Sequence, residues 1–213
     1  VYFCSNQKIY DYDHKTIKAI NPGEEGFHTF YDVDGHLIVR EKGQGLKILS
    51  YNNEFIFLKG GEQFADNANP VRGIIKGDSC HFIITPAGIY KFNFNKTLPE
   101  LSSIKKLELP INSWLYDKTV YCAANIGENN FAFGSVNGGV VITDKKFNAV
   151  KYINTLNDLQ DDGVNYIYND NQGHIWLALA KGISLIEFNS PITKFGKSDG
   201  IKGTIEACTF FNN

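Results

Sequence analysis

The chain has 213 residues, 43% of them apolar, 14% aromatic and 21% charged, with a formal net charge of −2. That is enough apolar material for a sizeable core, and it excludes a disordered or collagen-like chain. No apolar run approaches the roughly 20 residues of a membrane helix, and 21 basic against 23 acidic residues, with no block of like charge, leave no basic face for nucleic acid.

In chain order, the predicted elements are almost all short strands. Residues 1–10 read as a hairpin turning near 6–8, and a second hairpin spans 37–49 with its turn at 43–45. Others follow at 82–92, 131–142 and 175–186, turning at 86–88, 137–139 and 180–182. The first apolar residue after each turn, Ile9, Leu46, Ile89, Val140 and Ile183, recurs at spacings of 37, 43, 51 and 43 residues. A repeat of this length built from strands and Gly turns is the signature of a β-propeller.

Each hairpin belongs to a larger unit. A leading strand precedes it near 26–33, 71–75, 120–125 and 164–169, with one more expected at 204–211, and a fourth strand follows, as at 54–58 and 149–153. Segments 26–37 and 164–175 align residue for residue through Asp32-x-x-Gly35-His36 and Asp170-x-x-Gly173-His174, in which Asp opens the turn and Gly supplies positive φ. The fold class is therefore all-β, a β-propeller of four-stranded antiparallel blades. About five repeats are present, and residues 1–213 are read as one domain with loops at 62–70 and 154–163. Either the strand at 204–211 closes a five-bladed ring with the first residues, or the repeats are an arc of a larger ring; the arc is the favoured reading. A start at Val1 and the lack of methionine lead us to expect a segment of a longer protein, already freed of a signal peptide.

Chemical motifs are sparse. Cys4, Cys80, Cys122 and Cys208 are spread over the chain without a Cys-x-x-Cys pair, so they read as small buried hydrophobes, with no disulfide and no structural zinc assigned. Asp11, Asp13, Asp32 and Asp34 offer hard oxygen ligands, but neither pair continues into a calcium loop, and turn chemistry accounts for them. His36, His81 and His174 share one repeat position, which argues for architecture over catalysis. The sequence lacks a nucleophile elbow and a phosphate loop. No catalytic residue, metal or cofactor is assigned.

Residues 154–206 carry the most specific pattern: a leucine lead-in at Leu156, a strand opening at Val164, Asp170-x-x-Gly173, the Ile175-Trp176 strand and the Gly182-Ile183 exit. It resembles the two-component regulator propeller repeat family; the third and fourth copies lack the Asp-x-x-Gly motif and the tryptophan. The resemblance implies a periplasmic or otherwise extracytoplasmic ligand-sensing domain of hybrid histidine kinases or membrane-anchored helix-turn-helix regulators, many of which respond to glycans. It also implies partners within the same receptor, an adjacent propeller or a tyrosine-rich β-sandwich, with the output domain beyond Asn213. Trp176 is expected in the core between blades.

Four residues are candidate ligand contacts. Trp114 sits in a predicted loop before a leading strand, where an aromatic ring stacks on a sugar while Asn112 and Asn165 bind hydroxyls. Arg72, Asn165 and Glu206 take the second position of their leading strands, aligned with Phe27 and Tyr121, and are expected at the channel mouth. The leading expectation is a sensor for a small ligand such as an oligosaccharide. The alternatives are a protein-interaction scaffold and, less favoured, a glycan lyase or hydrolase, which calls for several acids at those positions.

Overall fold

The computed structural model describes residues 1–23, 25–50, 52–95, 100–157 and 159–188. They form five antiparallel sheets in chain order. The first is β1 (Tyr2–Cys4), β2 (Ile9–Tyr12) and β3 (Ile17–Ile20). The second contains β4 (Phe27–Val33), β5 (His36–Glu41), β6 (Gly45–Leu49) and β7 (Phe55–Phe57). The third contains β8 (Gly73–Lys76), β9 (His81–Thr85), β10 (Gly88–Asn95) and β11 (Glu100–Lys106). A helix, α1 (Ile111–Asp117), leads into the fourth: β12 (Val120–Ile126), β13 (Asn130–Ser135), β14 (Val140–Asp144) and β15 (Ala149–Ile153). Among the described residues the fifth has three strands, β16 (Val164–Asn169), β17 (Ile175–Leu179) and β18 (Ile183–Ile186). This is the β-propeller expected from the repeat, with β4, β8, β12 and β16 as adjacent inner strands.

The period of two along each strand decides what holds the blades together. In the fourth blade, Ala132, Val140 and Ile142 point toward the fifth, where they meet Val164, Ile167, Ile175 and Leu177. The alternate residues Phe131, Phe133 and Val141 point back toward Ile75, Phe82, Ile84 and Ile89 of the third. Val33, Ile38, Leu46 and Ile48 pack on Val71, Ile83, Phe92 and Leu101 between the second and third blades. Ile9 packs on Phe27 and Val39 between the first and second. Among the described residues the core is thus four apolar layers, one at each junction of neighbouring blades. A one-residue slip in any central strand would exchange its two faces between neighbours.

The hairpin glycines do what the repeat predicts. Gly45 and Gly88 open the third strand of their blades, Gly139 and Gly182 stand just before it, and their φ values are 96°, 134°, 72° and 93°, a region where a Cβ is strained. The Asp-x-x-Gly motif of the fifth blade is a side-chain hub. The Asp170 carboxylate accepts hydrogen bonds from the amides of Gln172 and His174 (both 2.9 Å), from His174 Nδ1 (3.0 Å) and from Trp176 Nε1 (3.0 Å). Those donors, the Trp176 indole foremost, hold its carboxyl well below the usual carboxylate range.

Three sequence expectations need correction. Residues 111–116 form a helical turn rather than a loop, because Pro110 starts it and Ile111 and Leu115, four apart, bury one side in the core. Trp176 is 41% exposed rather than packed between two blades, because it stands on the face of the fifth blade that no described blade covers, and its indole N–H is bound at the turn by Asp170. Of the described cysteines, Cys122 is buried but Cys80 is only partly so, and Cys4 is exposed on the first blade. Cys208 and the strand expected at 204–211 lie outside the described residues.

Both ends of the blade series present apolar sheet faces. On the fifth blade Tyr168, Trp176 and Leu185 are in register across three strands, beside Tyr166, Ala178 and Ile183, and the five large side chains of this set are exposed. On the first, Phe3 pairs with Tyr10 and Ile17 lies opposite Tyr12, and Phe3, Tyr10 and Ile17 are exposed.

Candidate functional site

Inner strands carry a repeated irregularity that re-aims side chains. In β4 the pairing with β5 skips one residue between Phe27 and Thr29, leaving His28 as an extra residue. The pairing of β12 with β13 skips Tyr121, and that of β16 with β17 skips Asn165. Just before β8, Arg72 donates its amide to the Ile84 carbonyl (2.8 Å), while Gly73 is the residue paired with Ile84. Each of these follows a buried apolar residue, Phe27, Val71, Val120 or Val164. A bulge turns one side chain out of the alternating pattern. Here it does so at the same place in three blades, at His28, Tyr121 and Asn165, and Arg72, just before β8, takes the equivalent position, so that the four make up a rim.

This register corrects one sequence alignment. Residues 26–37 and 164–175 do not match one for one, because β4 reaches β5 through a two-residue turn, Val33 pairing with His36, whereas β16 reaches β17 through a five-residue turn, Asn169 pairing with Ile175. The shift of one makes His28, not Phe27, the counterpart of Asn165. Phe27 is buried between the first two blades. His28 was missed because bulges leave no mark in the apolar pattern.

Within the rim the contacts are specific. The Arg72 guanidinium lies over the Tyr121 ring, 4.6 Å from its centroid, a cation–π contact. Arg72 Nε and His28 Nδ1 are both buried and lack a hydrogen-bond partner. Burial, followed by the charges of Arg40, Arg72 and Lys42, pushes His28 down to about 4, so its ring is neutral near pH 7. Beneath the rim, the Tyr31 hydroxyl donates to the Val71 carbonyl (2.9 Å), and burial raises its pKa. The Cys122 thiol, pushed up to about 12 by burial, packs on the Val164 carbonyl and is unreactive. At the far end of the inner strands, Asn125 bridges to Lys76 in both directions and Asn169 accepts from the Gly127 amide. These side-chain amides tie successive blades together.

The other predicted contacts divide. Arg72 and Asn165 belong to the rim, with Asn165 exposed and its amide donating to the Leu179 carbonyl (3.3 Å). Trp114 does not join them. It is half-buried on α1, tilted against Tyr152 with ring centroids 6.4 Å apart, and Tyr152 is on β15, three strands away from β12. Asn112 spends its amide on the Leu107 carbonyl (2.7 Å), which braces the approach to α1. Glu206 lies outside the described residues. The turn aspartates act as turn residues: Asp13 accepts from the amides of Lys15 and Thr16 and from the Thr16 hydroxyl, and Asp32 from the amide of Gly35. A second cluster joins Asp34 to Lys76 (2.7 Å) and to His81 (3.4 Å) between the second and third blades.

No family model matches the sequence, and no curated protein matches it. Solved structures do share its fold. The extracellular domain of the hybrid two-component system BT3049 from B. thetaiotaomicron is 20% identical, with a TM-score of 0.59 over 86% of this chain and 26% of that one. The extracellular domain of the hybrid two-component system BT4673 from the same organism is 17% identical, with a TM-score of 0.61 over 89% and 26%. PorZ, a surface component of the type-IX secretion system of Porphyromonas gingivalis, is 13% identical, with a TM-score of 0.55 over 85% and 23%. The chain spans about a quarter of the length of each of these structures. At these identities the likeness is one of fold: the chain is built as a β-propeller like those in the extracellular domains of bacterial two-component systems.

Proposed function

We propose that this propeller is the extracytoplasmic sensing part of a bacterial signalling receptor, and that it binds a saccharide or similar small ligand at the inner-strand rim. The rim carries the reading: bulges in three blades present His28, Tyr121 and Asn165, and Arg72 takes the equivalent place just before β8, a mix of an aromatic face and a few polar groups suited to a small molecule. The fold shared with extracellular domains of two-component systems supports the extracytoplasmic placement. None of the four rim positions is acidic, which favours binding over glycan cleavage, since the latter requires a pair of carboxylates. Among the described residues no helix is long and apolar enough to cross a membrane.

The five blades are read as an arc of a larger ring. The exposed aromatic faces of the first and fifth blades have the alternation that elsewhere in this chain is buried against a neighbouring blade. The greater length of the structures that share the fold leaves room for such neighbours. Further blades of the same polypeptide are the occupants that match those faces in shape and period.

A thermal-unfolding screen of the intact protein against neutral and acidic oligosaccharides tests the sensing reading. A ligand present at 100 times its dissociation constant stabilises the native state by about 2.7 kcal/mol. The expected result is at least one saccharide that raises the unfolding temperature of the wild type and of Trp114→Ala, but not of Tyr121→Ala. A well-folded protein that no saccharide stabilises would contradict the reading and favour the scaffold alternative.

A further inference from the structure

Resting on the sensor reading, we propose that the rim recognises an acidic saccharide, with His28 and Arg72 receiving the carboxylate or sulfate ester while Tyr121 and Asn165 line the path of the sugar. Among the described residues four lysines have carboxylate partners: Lys47 with Glu41, Lys59 with Glu100, Lys76 with Asp34 and Lys145 with Asp78. Arg40 has spent its donors on the carbonyls of Phe64, Ala65 and Asp66 and on Asn67. Arg72 differs. Its guanidinium lies over Tyr121, no described carboxylate pairs with it, and its Nε is a buried donor without an acceptor.

A buried, unpaired donor costs about 1–3 kcal/mol and is uncommon in native proteins. Here the neighbouring His28 Nδ1 is unpaired as well. The charged groups that act on His28 are Arg40, Arg72 and Lys42, all cations, on the strand beside its own and on the next blade. Two buried polar atoms without protein partners, with Arg40, Arg72 and Lys42 acting on one of them, suit an anionic group. A planar guanidinium stacked on one face still offers its edge to a two-oxygen acceptor. The field is local, because the whole chain carries a net charge of −2.

An anion at this place favours the protonated imidazole and therefore raises the His28 pKa. The test is a histidine-ring NMR titration of the intact protein with glucuronic acid, glucose or sodium sulfate at constant ionic strength. The expected result is a saturable shift of the His28 ring signals with glucuronic acid, a pKa of His28 raised by a unit or more, and no response to glucose. Arg72→Gln is expected to abolish the shift. Arg72→Lys, which keeps the charge but loses the planar fork, is expected to weaken binding about tenfold. A response to sulfate equal to that of glucuronic acid would overturn the saccharide part of the proposal. Equal responses to glucose and glucuronic acid, or Arg72→Gln binding as wild type, would overturn the anion part. A neutral saccharide that stabilises the protein without moving His28 would remove the acidic-ligand proposal and leave the sensing reading standing.

Discussion

Gly139→Ala is expected to destabilise the protein by about 3–4 kcal/mol, a large share of the roughly 5–15 kcal/mol that holds a typical domain together. Two costs combine. At φ 72° an alanine is strained by about 1–2 kcal/mol, and its Cβ would run into the carbonyl oxygen of Ile153, with Asn154 Cα and Cβ at 2.9 and 3.0 Å. Those atoms belong to the segment leaving the fourth blade, so relief requires opening the hairpin. The hydrogen bonds from the Gly139 amide to Asp162 and from Ser135 to the Gly139 carbonyl would be strained with it. Gly35→Ala is the control: φ is 82°, yet nothing lies within 4 Å of the added carbon, so only the backbone cost of about 1–2 kcal/mol applies. Urea unfolding of both variants measures the difference, and equal losses would show that the turn, not the close approach, sets the requirement for glycine.

Arg40→Met is expected to cost about 3–5 kcal/mol, the usual loss when one partner of a buried charged network is removed. Arg40 has no exposed surface, and its guanidinium holds the segment between the second and third blades through three main-chain carbonyls and the Asn67 side chain, at 2.9–3.1 Å. Replacing a buried charge with an apolar side chain is often harmless when its partners are replaced too. Main-chain carbonyls cannot be replaced, so the variant leaves acceptors buried and unpaired. Chemical denaturation of Arg40→Met and Arg40→Lys gives the measurement. A methionine variant within 1 kcal/mol of wild type would show that the segment finds other donors.

The blade repeat was legible because glycine cannot be replaced at the turns. Gly45, Gly88, Gly139 and Gly182 mark places where the chain needs positive φ, and each fixed the position of a hairpin in the sequence. Central strands are legible for a related reason: both of their faces are buried, so β9 and β14 carry continuous apolar runs, Phe82–Ile84 and Val140–Ile142. The rim was only partly visible. Arg72 and Asn165 were found by counting from the strand starts, but the same count chose Phe27 over His28, because a bulge adds a residue without changing the composition around it. Trp114 was misplaced because a helix of seven residues is too short to impose a period, although Pro110 and the Ile111–Leu115 spacing were its available signals. Trp176 is exposed because it stands on the face of the fifth blade that no described blade covers, while the Asp170 carboxylate holds its indole N–H at the turn.

Amide hydrogen exchange of the intact protein, with and without the saccharide that stabilises it most, tests most directly whether the inner-strand rim is where this propeller meets its ligand. The account predicts slowed exchange at 26–31, 70–75, 119–124 and 163–167, with little change on the outermost strands β7 and β15. Protection confined to α1 and β15 around Trp114 and Tyr152, or to the exposed faces of the first and fifth blades, with the rim unchanged, would contradict it.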